Sequence, residues 1–155
     1  AWGTQFVGDR LSGVVYAMNR TLFTEMNDPD TGNGGVMVRR MRQGPHLSAD
    51  GTWLFFSRVQ LDMDVGLANL PAPGDEPDPD SSDDNPQIML SWSDDGGYTW
   101  SNEHLASTGL HGQYRARVIW RRLGRSRDRV FRVVMAARVP WRLLDLYADV
   151  EKGES

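Results

Sequence analysis

Ser93-Asp94-Asp95-Gly96-Gly97-Tyr98-Thr99-Trp100 carries the densest signal in this sequence. It fits the Asp-box spacing Ser-x-Asp-x-Gly-x-Thr-Trp at every defined position. An aspartate at the position of Asp95 accepts hydrogen bonds from turn amides, as in Asx-turns. Gly96 and Gly97 allow the positive φ that a tight hairpin requires. Trp100 is spaced to cover the turn from the strand side. The motif therefore predicts a turn that stabilises a hairpin, with Ser93, Asp95, Gly97, Thr99 and Trp100 in structural roles and no catalytic residue. A sugar or calcium contact at the turn is the alternative reading.

Outward from the motif, period-2 patterns and clusters of β-branched and aromatic residues dominate, and no convincing amphipathic helix is found. Residues 87–92 predict a strand, with residues 99–102 as its hairpin partner. Residues 114–123 alternate, with Tyr114, Ala116, Val118 and Trp120 on one face and Arg115, Arg117, Ile119 and Arg121 on the other. Residues 124–128 turn the chain, residues 129–137 return, Pro140 interrupts, and residues 141–150 form the last strand.

Upstream, residues 36–42 predict a strand ended by Gln43-Gly44-Pro45. Ser48-Ala49-Asp50-Gly51 predicts a turn. A long strand follows over residues 53–65, in which Trp53, Phe55, Ser57, Val59, Leu61 and Met63 share a single apolar face. Residues 66–86, with five prolines and six acids, read as an exposed loop disordered at its tip. Residues 2–18 predict a hairpin, and a dense loop signal follows at residues 27–35.

The expected fold class is all-β: a β-sandwich-like domain at 36–150, preceded by a hairpin and loop at 1–35 and followed by a tail at 151–155. The hairpin is compatible with the end of a β-propeller blade.

Composition narrows the chemistry. The absence of cysteine excludes disulfides, thiolate metal sites and a Cys nucleophile. His46, His104 and His111 show no metal-ligand spacing, so neither metal nor cofactor is expected. No apolar run approaches the ~18 residues of a membrane span. The sequon Asn19-Arg20-Thr21 reads as a chance match.

The net charge of −4 conceals a strong segregation. Asp75, Glu76, Asp78, Asp80, Asp83 and Asp84 form an acidic run that contains no base. Between Tyr114 and Arg142 there are ten arginines and one acid, Asp128. Prolines interrupt the acidic run and no calcium-loop pattern is present, so it reads as a solvated, self-repelling loop.

Several segments together resemble a known family. Leu90-Ser91-Trp92-Ser93-Asp94-Asp95-Gly96-Gly97-Tyr98-Thr99-Trp100-Ser101-Asn102 is followed by Gly112-Gln113-Tyr114-Arg115-Ala116-Arg117-Val118-Ile119-Trp120-Arg121-Arg122-Leu123-Gly124 and by Arg127-Asp128-Arg129-Val130-Phe131. Upstream lie Gly8-Asp9-Arg10-Leu11-Ser12-Gly13-Val14-Val15-Tyr16, with the pattern Gly-Asp-x-x-x-Gly-x-x-Tyr, then Pro45-His46-Leu47-Ser48 and the long strand to Val65-Gly66. Over residues 6–150 the chain resembles the C-terminal part of the packaged-DNA stabilisation proteins of short-tailed phages, also called tail hub or nozzle proteins.

The resemblance implies a virion tail protein. It implies a subunit of a ring, typically a hexamer, that lies below the portal and adaptor and retains packaged DNA. The implied partners are further copies of the chain, other tail proteins (adaptor, fibre or needle) and DNA passing through the channel. The family's proteins are several times longer and carry propeller-like repeats, so the chain is expected to be a fragment, a split product or a reduced homologue.

Arg115, Arg117, Arg121 and Arg122 are the candidate interface or DNA-facing residues. A channel that must release DNA quickly gains little from tight phosphate binding, so ion pairs across a subunit interface are the favoured role.

Two other classes compete. A glycosidase-type propeller needs an activated nucleophile and an acid/base carboxylate, and has about four or more blades. This chain has one Asp box and no assignable three-arginine clamp. A carbohydrate-binding β-sandwich needs an exposed platform among Trp53, Trp92, Trp100, Trp120 and Trp141, most of which read as core.

Overall fold

A computed structural model describes residues 5–8, 13, 15–18, 38–67 and 85–153. The chain divides into two compact units, residues 1–38 and 39–155. The acidic run at 75–84 and most of the predicted loop at 66–86 lie outside the described residues, as does the loop signal at 27–35.

In the first unit, β1 (Gln5–Gly8) pairs antiparallel with β2 (Val15–Met18), from Gln5 opposite Met18 to Gly8 opposite Val15. Phe6, Val7, Val15 and Tyr16 on this hairpin are exposed.

The second unit holds β3 (Arg40–Ser48), β4 (Leu54–Met63), β5 (Gln87–Ser93), β6 (His104–Ser107), β7 (Val118–Arg121), β8 (Arg125–Ser126), β9 (Asp128–Met135) and β10 (Leu143–Lys152). All pairing is antiparallel. One sheet runs β10-β4-β7, with β8 also paired to β4; the other runs β3-β9-β5-β6. The chain passes repeatedly between them. At Ala49-Asp50-Gly51-Thr52 it does so through a turn with positive φ at Asp50 and Gly51, closed by the Thr52 amide on the Ala49 carbonyl at 2.8 Å.

The two inner faces share a single apolar core. Leu54, Phe56, Val59, Leu61 and Met63 of β4, with Val118 and Trp120 of β7, pack against Ile88 and Leu90 of β5 and Phe131, Val133 and Met135 of β9. Phe56 and Phe131 meet edge to face, centroids 5.5 Å apart, and join the sheets at the centre. Fully burying each such side chain contributes about 1.5–3 kcal/mol. The arrangement is the all-β sandwich that the alternating patterns predict. Trp120 Nε1 donates to the His104 carbonyl at 2.8 Å and ties β7 to β6 across one side of the sandwich.

Bulges account for two departures from the expected strands. The long strand does not keep one face. Leu54 and Phe56 are buried, then Val59, Leu61 and Met63, while Trp53 and Phe55 are exposed. Asp149 stands opposite Arg58 but Val150 stands opposite Phe56, so Ser57 is an extra residue that flips the parity. On the other side of β4, Arg122 (φ 60°) and Gly124 (φ 77°) break the neighbouring strand at the same level into β7 and β8.

Gln43-Gly44-Pro45 does not end β3. The strand runs on to Ser48 through a bulge between Gln43 and His46, on a sheet edge where proline is tolerated. Residues 99–102 form no strand, and β5 pairs instead with residues 104–107. The strand expected over residues 114–123 is regular only at Val118–Arg121, because the Ala116 amide closes a turn on the Gln113 carbonyl.

Thr108 anchors both flanks of the segment before β5. Its carbonyl accepts the Gly66 amide, and its own amide and hydroxyl donate to the Pro86 carbonyl, each at 2.9 Å.

Candidate functional site

The Asp-box turn follows β5 directly. Buried Ser93 sits at the strand end, where its Oγ donates to Asp95 Oδ1 at 2.6 Å and accepts the Gly97 amide at 2.8 Å. The Asp95 carboxylate accepts the Thr99 amide at 2.9 and 3.0 Å and the Thr99 hydroxyl at 2.5 Å. Bonds from the Ser93 hydroxyl, and then from the hydroxyl and amide of Thr99, hold the Asp95 carboxyl well below the usual carboxylate range. Gly96 and Gly97 take φ of 76° and 102°. Trp100 Nε1 donates to the Gly97 carbonyl at 3.0 Å and closes the turn. The side-chain hydrogen bonds of Ser93, Asp95, Thr99 and Trp100 thus close within the motif.

Two arginines of β9 fasten this turn to the sandwich. The buried Arg129 guanidinium makes a two-pronged pair with Asp94 and donates to the carbonyls of Leu123 and Arg125. It also lies over Phe56 at 4.7 Å and Trp92 at 5.2 Å. Arg132, which stands opposite Ser91, lies 3.9 Å over the Trp100 ring. Spacing and composition do not predict the pairing of Arg129 with Asp94. The one available signal is an arginine beside the otherwise apolar run Val130-Phe131, because a long cation on a central strand needs a partner.

The candidate arginines are exposed and do not all share one strand face. Arg115 lies in the turn before β7 and Arg117 one residue before the strand. Arg121 stands opposite Arg58, which in turn binds Asp149 at 2.8 Å. Arg122 lies in the bulge, with its amide on the Ser57 carbonyl. Among the described tryptophans Trp120 is buried, and Trp92 and Trp141 are partly buried against the same core. Trp53 is exposed and is flanked by the guanidinium groups of Arg125 at 4.7 Å and Arg127 at 4.9 Å.

Among the described residues no group of three or more His, Asp or Glu could hold a metal ion, and no helix is long and apolar enough to cross a membrane.

A family model described as bacteriophage P22 Gp10, beta-sandwich, matches residues 39–151. The chain belongs to this family. The P22 Gp10 match starts at the first residue of the second unit and ends inside β10, so it covers the whole sandwich. P22 Gp10 is a structural protein of the phage tail, and this chain is a phage tail structural protein of the virion. Association with other tail proteins follows from that membership. No curated protein matches the chain.

Proposed function

We propose that this chain is a subunit of the tail hub or nozzle, assembled as a ring of copies that extends the DNA channel and helps to retain packaged DNA until ejection. The observation that carries the proposal is the P22 Gp10 match across the entire sandwich. The Asp box acts as a structural brace. Its Ser93, Asp95, Gly97, Thr99 and Trp100 bond to one another. The chain works by assembly, without turnover or cofactor. Arg115, Arg117, Arg121 and Arg122 serve as contact residues.

The division into a hairpin region at 1–35 and a sandwich domain at 36–150 is part of this proposal. A two-stranded hairpin is marginal alone, and the exposed Phe6, Val7, Val15 and Tyr16 fit a strand pair that belongs to a larger sheet such as a propeller blade.

The test is a phage in which the chain is disrupted. Particles are expected to fill with DNA and then lose it, and supply of the chain in trans restores retention and infectivity. Particles that lack the chain yet keep both DNA and infectivity overturn the proposal. Release of sugar from glycoside substrates, lost on carboxylate substitution, overturns its non-enzymatic part.

A further inference from the structure

The outer face of the β10-β4-β7/β8 sheet is graded in charge from one margin to the other. Residues directly opposite across neighbouring strands share a face. Register therefore sets Arg121, Arg58 and Asp149 in one row from β7 to β10, and Arg125, Phe55 and Glu151 in another from β8 to β10. The β7–β8 margin presents Arg121, Arg122 and Arg125, all exposed, in a stretch from residue 115 to 127 without one acid. The β10 margin presents Asp145 and Glu151, also exposed, with Asp62 of β4 directly opposite Asp145. Two bases lie near these acids but do not share their row on the outer face. Arg142 precedes β10, and Lys152 stands opposite Leu54 on the other side of the sheet.

Among the described residues neither margin is matched in charge. Like charges directly opposite are destabilising, and this holds for Asp62 with Asp145 and for Arg121 with Arg58. Among the described residues Asp62, Asp145 and Glu151 have no cationic partner, and Arg121 and Arg122 have no carboxylate. β10 is also a ten-residue edge strand, paired only with β4 among the described residues, on which Leu144 and Tyr147 are exposed. Acids on an edge strand discourage random pairing, and that role alone predicts a monomer.

We infer that the β10 margin of one copy of this chain binds the β7–β8 margin of a second copy, head to tail. Charge complementarity selects that occupant: the acids on one margin meet arginines that the same chain carries on the other. The two surfaces differ, so the contact is heterologous. Successive copies then add in one rotational sense, which yields a ring when the rotation closes. The inference rests on the ring reading above and supplies its lateral contact.

The experiment uses the full chain and two charge-reversed variants in sedimentation velocity. The first carries Asp145→Arg and Glu151→Arg, so both of its margins are basic. The second carries Arg121→Glu and Arg125→Glu, so both are acidic. The wild type is expected to self-associate. Its association weakens as salt rises from about 0.15 M to about 1 M, where the screening length falls from roughly 8 Å to roughly 3 Å. Each variant alone associates at least about tenfold more weakly, and an equimolar mixture of the two recovers association by alternating copies.

Circular dichroism and thermal melts confirm folding. If a double variant melts early, the single substitutions Glu151→Arg and Arg121→Glu replace it. Folded variants that associate like the wild type overturn the pairing of these margins, as does a mixture that fails to recover. A wild type that stays monomeric to about 0.5 mM overturns self-association through this face. In that case DNA retention by disrupted particles still decides the tail reading independently.

Discussion

Asp94 and Arg129, 35 residues apart, meet in a two-pronged ion pair, with Nε to Oδ1 at 2.6 Å and Nη2 to Oδ2 at 2.7 Å. The arginine side chain is 2% exposed and the aspartate 44%. The pair joins the Asp-box turn to the centre of the sandwich, because the same guanidinium also holds the Leu123 carbonyl.

The asymmetry in burial predicts an order of effects. Asp94→Ala leaves a buried cation without its carboxylate, which costs about 3 kcal/mol. Arg129→Met fills much of the space among Phe56, Trp92 and Phe131 and leaves a half-exposed acid that water rehydrates. Its cost is about 1–2 kcal/mol, mostly from the unsatisfied carbonyls. Urea unfolding measures both, and the reverse order contradicts this account of the pair.

Asp95 links the same turn to pH. Its carboxyl is held below the usual range first by the Ser93 hydroxyl and then by Thr99, which favour the charged form. A depressed folded-state value means that the unfolded chain takes up the proton first. The contribution is therefore full above the ordinary carboxylate pKa of about 3.9 and is lost as pH falls below it. The difference in Tm between the wild type and Asp95→Asn is expected to stay constant from about pH 7 to pH 5 and to narrow below about pH 4. A difference that persists unchanged to about pH 2 shows that charge on Asp95 does not hold the turn.

Two glycines separate backbone strain from steric conflict. Gly51 and Gly66 have φ of 73° and 70°. A Cβ at Gly51 meets nothing within 4 Å, so Gly51→Ala costs about 1 kcal/mol from the left-handed conformation alone. At Gly66 a Cβ would sit 2.6 Å from the Gln113 carbonyl carbon and 2.8 Å from the Tyr114 nitrogen. Backbone cannot swing aside as a side chain can, so Gly66→Ala costs about 3 kcal/mol or more. Equal losses in chemical denaturation contradict the close approach of these segments.

The sandwich is legible in the sequence because Val118-Ile119-Trp120 and the strand from Leu54 to Met63 carry alternating or apolar runs, and because the Asp box has a defined spacing. Strand limits are less legible, since a bulge has no fixed composition. Gly44-Pro45 reads as a stop, yet on an edge strand it is only an extra residue. Ser57 gives no signal at all, although it reverses every side chain before it. The Arg129–Asp94 pair escapes for another reason. It depends on tertiary proximity, and the arginine sits in a segment crowded with other arginines that stay in solvent. The margins of opposite charge are half legible: the arginine cluster is visible in the sequence, but the sparse acids of β10 gain meaning only from register.

The bulge at Ser57 makes the sharpest prediction, because it decides which of two adjacent phenylalanines is core. Unbroken alternation from Val59 and Leu61 would put Phe55 inside and Phe56 outside. With the bulge, Phe56 is 2% exposed and packs edge to face on Phe131, while Phe55 is 41% exposed. Phe56→Ala is expected to cost about 3–5 kcal/mol, from lost transfer energy, the cavity and the aromatic contact between the sheets. Phe55→Ala is expected to cost about 1 kcal/mol or less, because its ring already meets water on one side. Thermal or urea unfolding of the two variants reads this directly. Comparable losses, or a larger loss at Phe55, contradict the parity switch and return the strand to a single apolar face.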